Sequence, residues 1–162
     1  MSTLSKFSRI NFEEWGGTAT VDGGGTPIMT LDYNDKINFA VYTSGLLSAP
    51  TFRITNFPAY NGFNNKVFTY TLGIRQNSTP QVPGTFLIVP PGGGVSKVFS
   101  SNPVFNNILW QGGTAPTGNV ERWDFFNFIL INTGVPGGNV NGSSFNGYEC
   151  FANLNGNYPF TT

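Results

Sequence analysis

The chain has 162 residues, eight basic and eight acidic side chains, no histidine and a single cysteine. That length suffices for one domain burying roughly 70% of its unfolded surface, and Cys150 alone can form neither an intramolecular disulfide nor a thiolate zinc site. Missing histidine excludes Ser-His-Asp and Cys-His catalysis and removes the commonest metal ligand.

From the N-terminus, residues 1–11 are polar with Lys6 and Arg9 and have no apolar run, so no export signal is expected. Residues 1–17 read as an arm preceding the folded body, with Phe7, Ile10, Phe12 and Trp15 as its anchors. Residues 18–162 read as one β domain. A short strand at 18–21 meets a turn at 22–25 that is almost all glycine. Strands at 27–32 and 36–43 flank an Asn34-Asp35 turn, and Ile37, Phe39 and Val41 alternate with Asn38, Ala40 and Tyr42. Residues 51–56 place Phe52 and Ile54 on one face and Arg53 and Thr55 on the other, and Pro58 ends the strand. Asn61-Gly62 is a turn signal.

The strongest strand is 67–76, with Phe68, Tyr70, Leu72 and Ile74 on one face and Thr69, Thr71, Gly73 and Arg75 on the other. Shorter strands at 86–89 and 95–99 surround the Pro-Gly run 90–94, which suits neither helix nor ladder. Residues 107–110 lead into the loop 111–118. The strand at 122–132 carries Phe126, Phe128 and Leu130 on one face and Phe125, Ile129 and Ile131 on the other. An apolar second face indicates a central strand or cover by another subunit, so Phe125, Ile129 and Ile131 are expected at a subunit interface. A Gly- and Asn-rich loop at 135–146 precedes a last strand at 148–154, which Asn155-Gly156 is expected to end. Ten to twelve short strands and no convincing helix give an all-β fold, a sandwich or jelly roll of antiparallel strands.

Several stretches taken together resemble bacteriophage virion structural and tail-fibre β domains. They are Thr30-Leu31-Asp32 with Phe39, Thr51-Phe52 with Asn56 and Pro58, and the strand 68–76. Trp110-Gln111-Gly112-Gly113-Thr114-Ala115-Pro116-Thr117 and Asp124-Phe125-Phe126-Asn127-Phe128 are the most specific pair. The resemblance runs from about residue 30 to 154. It implies a structural module, commonly a trimer, on the capsid or tail of a virion assembled in the host cytoplasm. Lacking a long shaft or coiled coil, this chain fits a compact unit such as a capsid decoration protein or short appendage. The partners implied are further copies of the chain and neighbouring virion proteins. The alternative is a receptor-binding fibre tip recognising a host surface glycan, for which Trp15, Tyr60, Tyr148 and Tyr158 are the aromatics available to stack on sugars.

Beside the resemblance stands a physical reading of the Trp loop. Trp110 anchors it by burial, Gly112 and Gly113 let the backbone turn past the ring, Pro116 shapes the exit, and Asp124 accepts hydrogen bonds from loop amides. A packed structural corner is preferred to a ligand loop. The glycine runs 23–25 and 92–94 lack the Gly-Lys-Ser/Thr of a phosphate loop. Asp32, Asn34 and Asp35 hold only part of a calcium loop and read as a turn. Paired carboxylates hydrolyse glycosides, and Glu13, Glu14, Asp32, Asp35, Glu121, Asp124 and Glu149 are the candidates, but the chain is short for the groove such enzymes use. Charged residues are only 10% of the chain, without the basic clusters that bind nucleic acid or anionic membrane. No window approaches a transmembrane helix. No enzyme, cofactor, metal, nucleic-acid or membrane role is expected.

Overall fold

The computed structural model describes residues 18–21, 25–36, 38–42, 46, 48–58, 66–94, 96–101, 108–132 and 147–159. Among the described residues ten strands form two five-stranded sheets. They are β1 (Thr18–Val21), β2 (Pro27–Asp32), β3 (Phe39–Tyr42), β4 (Thr51–Thr55), β5 (Val67–Arg75), β6 (Thr85–Ile88), β7 (Lys97–Ser100), β8 (Ile108–Trp110), β9 (Arg122–Asn132) and β10 (Tyr148–Pro159). One sheet runs β1-β2-β4-β6-β7 and the other β3-β5-β9-β10-β8.

The sheets are mixed, which corrects the antiparallel expectation. β2 pairs parallel with β4, β4 with β6, β3 with β5, and β10 with β8. The cause is the chain's path. From β2 to β6 it alternates between the two sheets, so successive strands of one sheet run the same way. The long strands β5, β9 and β10 pair antiparallel at the centre of the second sheet.

Period-two alternation builds the core between the sheets. Met29, Leu31, Phe52, Ile54, Phe86, Ile88 and Phe99 come from the first sheet, and Tyr70, Leu72, Ile74, Phe126, Phe128 and Leu130 from the second. Phe128 stacks on Phe86 at 4.9 Å and meets Phe52 at 5.6 Å, so aromatic pairs bridge the two layers. Cys150 is fully buried, and desolvation pushes its thiol up, so it is a core residue and not a reactive one.

Three local expectations change. A 3-10 turn at Tyr33–Asp35 replaces the simple Asn34-Asp35 turn, with Asp32 accepting from the Asn34 N–H at 2.8 Å and Lys36 left-handed, so the next strand begins at Phe39. In β3 it is Ala40 that faces the core, while Phe39 and Val41 are half-buried on the outside. β10 does not end at Asn155-Gly156. It continues to Pro159 through an irregularity between Asn155 and Tyr158, where β10 spends one more residue than β9.

Burial also raises the Tyr70 and Tyr148 hydroxyls above their ordinary value of 10. The neutral phenol is therefore favoured in the folded state. Its contribution to stability is full below that value and is lost as pH rises above it, where only the unfolded chain ionises freely. Urea midpoints are expected to be flat near neutrality and to fall above pH ~10, with Tyr70→Phe reducing the alkaline fall. An equal fall in the variant would contradict this.

Candidate functional site

Two places concentrate side chains beyond the core: a polar knot at one end of the sandwich, and the outer face of the sheet centred on β9.

The knot is built on Asp124, fully buried at the inward-facing start of β9. Its carboxylate accepts from the Asn119 backbone N–H at 2.8 Å, the Asn119 amide at 2.6 Å and the Gln76 amide at 3.1 Å. Gln76, also buried, donates to the Gln81 carbonyl at 2.7 Å and accepts from the Gln81 N–H at 2.8 Å. One carboxylate and one amide thus tie loops 77–84 and 111–121 to the ends of β9 and β5. Every one of these bonds is internal, so the arrangement holds loops and offers no free acid.

Trp110 packs inward against Phe126 at 6.2 Å and Phe128 at 6.1 Å, and its indole N–H donates to Ser101 Oγ at 3.2 Å. Gly112 and Gly113 take φ of 90° and 86°, a left-handed pair that side chains resist, and the Gly113 N–H donates to the Trp110 carbonyl at 2.9 Å. Pro116 is half-buried at the exit. The structure therefore places Trp110, Gly112 and Gly113 in one turn, Pro116 at its exit, and Asp124 at the base of the loop's far end.

The outer face is different in kind. Phe125, Ile129 and Ile131 lie together on it, each half-buried, with Trp123 beyond Phe125. The register adds neighbours that sequence reading did not join to them. Ile129 is flanked by Thr69 and Phe151, and Phe151 by Leu109. Trp123 is flanked by Arg75 and Tyr158. The Phe125 ring leans over Gly73, where an added Cβ would lie 2.9 Å from it. It also packs beside Phe39 at 6.0 Å, Trp123 at 6.2 Å and Tyr158 at 5.7 Å. Between the aromatic end and the aliphatic end runs one polar row. Thr71 donates to Asn127 at 2.8 Å and Asn127 donates to Asn153 at 3.0 Å.

The opposite sheet shows the contrast. Its outer face carries Thr30, Thr51, Arg53, Thr55 and Thr85 around the scattered apolar side chains Ile28, Leu87 and Val98, with Arg53 donating to Thr30 at 3.0 Å and no aromatic residue among them. Three of the five exposed large apolar side chains among the described residues, Val67, Leu109 and Tyr158, rim the β9 face. The signal for that face was available as β9's second apolar stripe. Phe39, Phe151 and Tyr158 could join it only through strand pairing, which the sequence did not specify.

Other expected sites fare differently. Phe7, Ile10, Phe12 and Trp15 lie outside the described residues, as do Tyr60, Glu13 and Glu14. Tyr148, expected as an exposed aromatic, is buried at 2% exposure because β10 turns it into the core, while Tyr158 is 53% exposed. Asp32 is occupied by Asn34 and by the Asn56 amide at 2.6 Å. Among the described residues no three of His, Cys, Asp or Glu cluster as a metal site would need, and no helix is long and apolar enough to cross a membrane. Comparison with protein-family models, with curated proteins and with solved structures finds no match to this chain.

Replacing Asp124 with Ala strips three donors of their acceptor in a buried place. The expected cost is about 3 kcal/mol in urea unfolding, with the protein still folding in the absence of denaturant. A loss below about 0.5 kcal/mol would show that the knot holds nothing.

Proposed function

We propose that this chain is a structural component of a virus particle, a β-sandwich that associates with its own copies and sits on the outside of a tailed-phage capsid or tail. The observation that carries the reading is the outer face of the β9 sheet. A half-buried cluster of Phe39, Trp123, Phe125, Ile129, Ile131 and Phe151 on a chain with few charges is the make-up of a surface that another subunit covers. The resemblance of the Trp loop and the following strand to virion domains supplies the setting. Among the described carboxylates, Asp124 accepts from Asn119 and Gln76 within the structural knot, and Asp32 accepts from Asn34 and Asn56. The glycan-binding alternative draws support from Tyr158 beside Trp123.

Sedimentation velocity on the full chain is expected to give a mass above one chain that falls on dilution. Phe125→Ser with Ile129→Ser is expected to give the single-chain mass with an unchanged far-UV spectrum. A single-chain mass for the parent protein at every concentration would contradict self-association.

For attachment we propose the segment 1–17. Changing Phe7, Ile10, Phe12 and Trp15 to Ser in the full chain is expected to abolish loading onto particles while leaving the sedimentation behaviour intact. Unchanged loading would remove the segment from the account.

A further inference from the structure

The charges of the β9 face are laid out for pairing with a second copy. Among the described residues of its five strands, two charged side chains point outward, Arg75 on β5 and Glu149 on β10. Arg75 is level with Trp123 and Glu149 with Ile131, on opposite flanks of β9. Asn127 lies four residues from each, so it is the midpoint between them.

We infer that two copies pack this face against itself about a two-fold axis through Asn127, so that Arg75 of each copy meets Glu149 of the other. The inference rests on the self-association proposed above and names its geometry. The axis lies in the plane of the interface, perpendicular to the line from Arg75 to Glu149. Half a turn about it brings the aromatic end, Trp123 and Phe125, onto the partner's aliphatic end, Ile129 and Ile131. Both charges find their opposites at the rim, where they set orientation more than affinity.

The dimensions fit. Eight residues along the strands is about 27 Å, and two strand spacings about 10 Å, so the line between the charges leans roughly 20° from the strand direction. The two sets of strands then cross at about 40°, near the roughly 30° of aligned sheet packing. β5, β9 and β10 span that length and β3 and β8 add four and three residues, so the face presents a footprint of about 500 Å². Two such faces remove about 1,000 Å², the lower bound for a specific interface. The pair should therefore be reversible on dilution.

The polar row serves the same arrangement. Asn127 accepts one bond from Thr71 and gives one to Asn153, leaving one N–H and one lone pair. On a two-fold axis those groups face their own copies and complete a reciprocal amide pair. Any slip in register would bury them against apolar side chains, which penalises other packings.

The test is charge reversal in the full chain, read as the dissociation constant by sedimentation equilibrium. Arg75→Glu and Glu149→Arg are each expected to weaken the pair on the order of 10-fold, because each places like charges together twice per dimer. The double variant is expected to recover to within about threefold of the parent. Within one chain the two positions are too far apart to compensate, so recovery can come only across the interface. A two-chain mass in the parent with no recovery in the double variant would overturn the inference. So would a three-chain parent mass, since a three-fold assembly cannot use this face against itself, and that result would leave self-association standing. A single-chain mass would overturn both.

Discussion

Strand β9 carries apolar side chains on both of its sides. Facing in, Phe126, Phe128 and Leu130 fill the space between the sheets, and the Phe86–Phe128 stack fixes how far apart the layers sit. Facing out, Phe125, Ile129 and Ile131 keep the same spacing on the opposite side of the same backbone. A strand with only one apolar face would be satisfied by the sandwich alone. This one leaves a face of about 500 Å², largely apolar and crossed by one polar row, that the sandwich alone does not cover. The remaining features of the face follow from that need: glycine at position 73 where a side chain would displace Phe125, the aromatic neighbours on β3 and β10, and a single polar row that interrupts the field.

The knot around Asp124 belongs to the same design. β9 enters the sheet through it, and the two loops it holds decide where the strand starts and therefore which residues point outward. A shift of one residue in β9 would exchange Phe125 with Phe126 and turn the core inside out. A buried carboxylate with three donors is a strict locator, because no neighbouring register satisfies it.

What could be read from residues alone follows the same physics. β4, β5 and β9 were legible because their alternation is long or unambiguous, and the boundaries of β9 came directly from its apolar pattern. β3 misled for the opposite reason: with both surfaces of its sheet apolar, the stripe of Phe39 and Val41 does not mark the core, and Ala40 is the inward residue. The continuation of β10 past Gly156 was hidden because Asn-Gly signals a turn, whereas here the backbone absorbs the glycine in an irregularity and resumes pairing with Trp123. Parallel pairing was invisible, since alternation tells which face a residue takes and not which strand lies beside it. The candidate face was accordingly legible on one strand. Its full extent, with Phe151, Leu109, Tyr158 and the two charges, depended on registers that only the folded chain fixes.

The central claim is that the outer face of β9 is covered by another copy of the chain. Hydroxyl-radical footprinting of the full protein over a dilution series reads this directly, because Trp123, Phe125 and Phe151 are reactive and Val98 and Val120, exposed elsewhere on the molecule, serve as controls. The account predicts that the three aromatics are protected at high concentration and become labelled on dilution while the two valines stay constant. Equal labelling of Trp123, Phe125 and Phe151 at every concentration would contradict it.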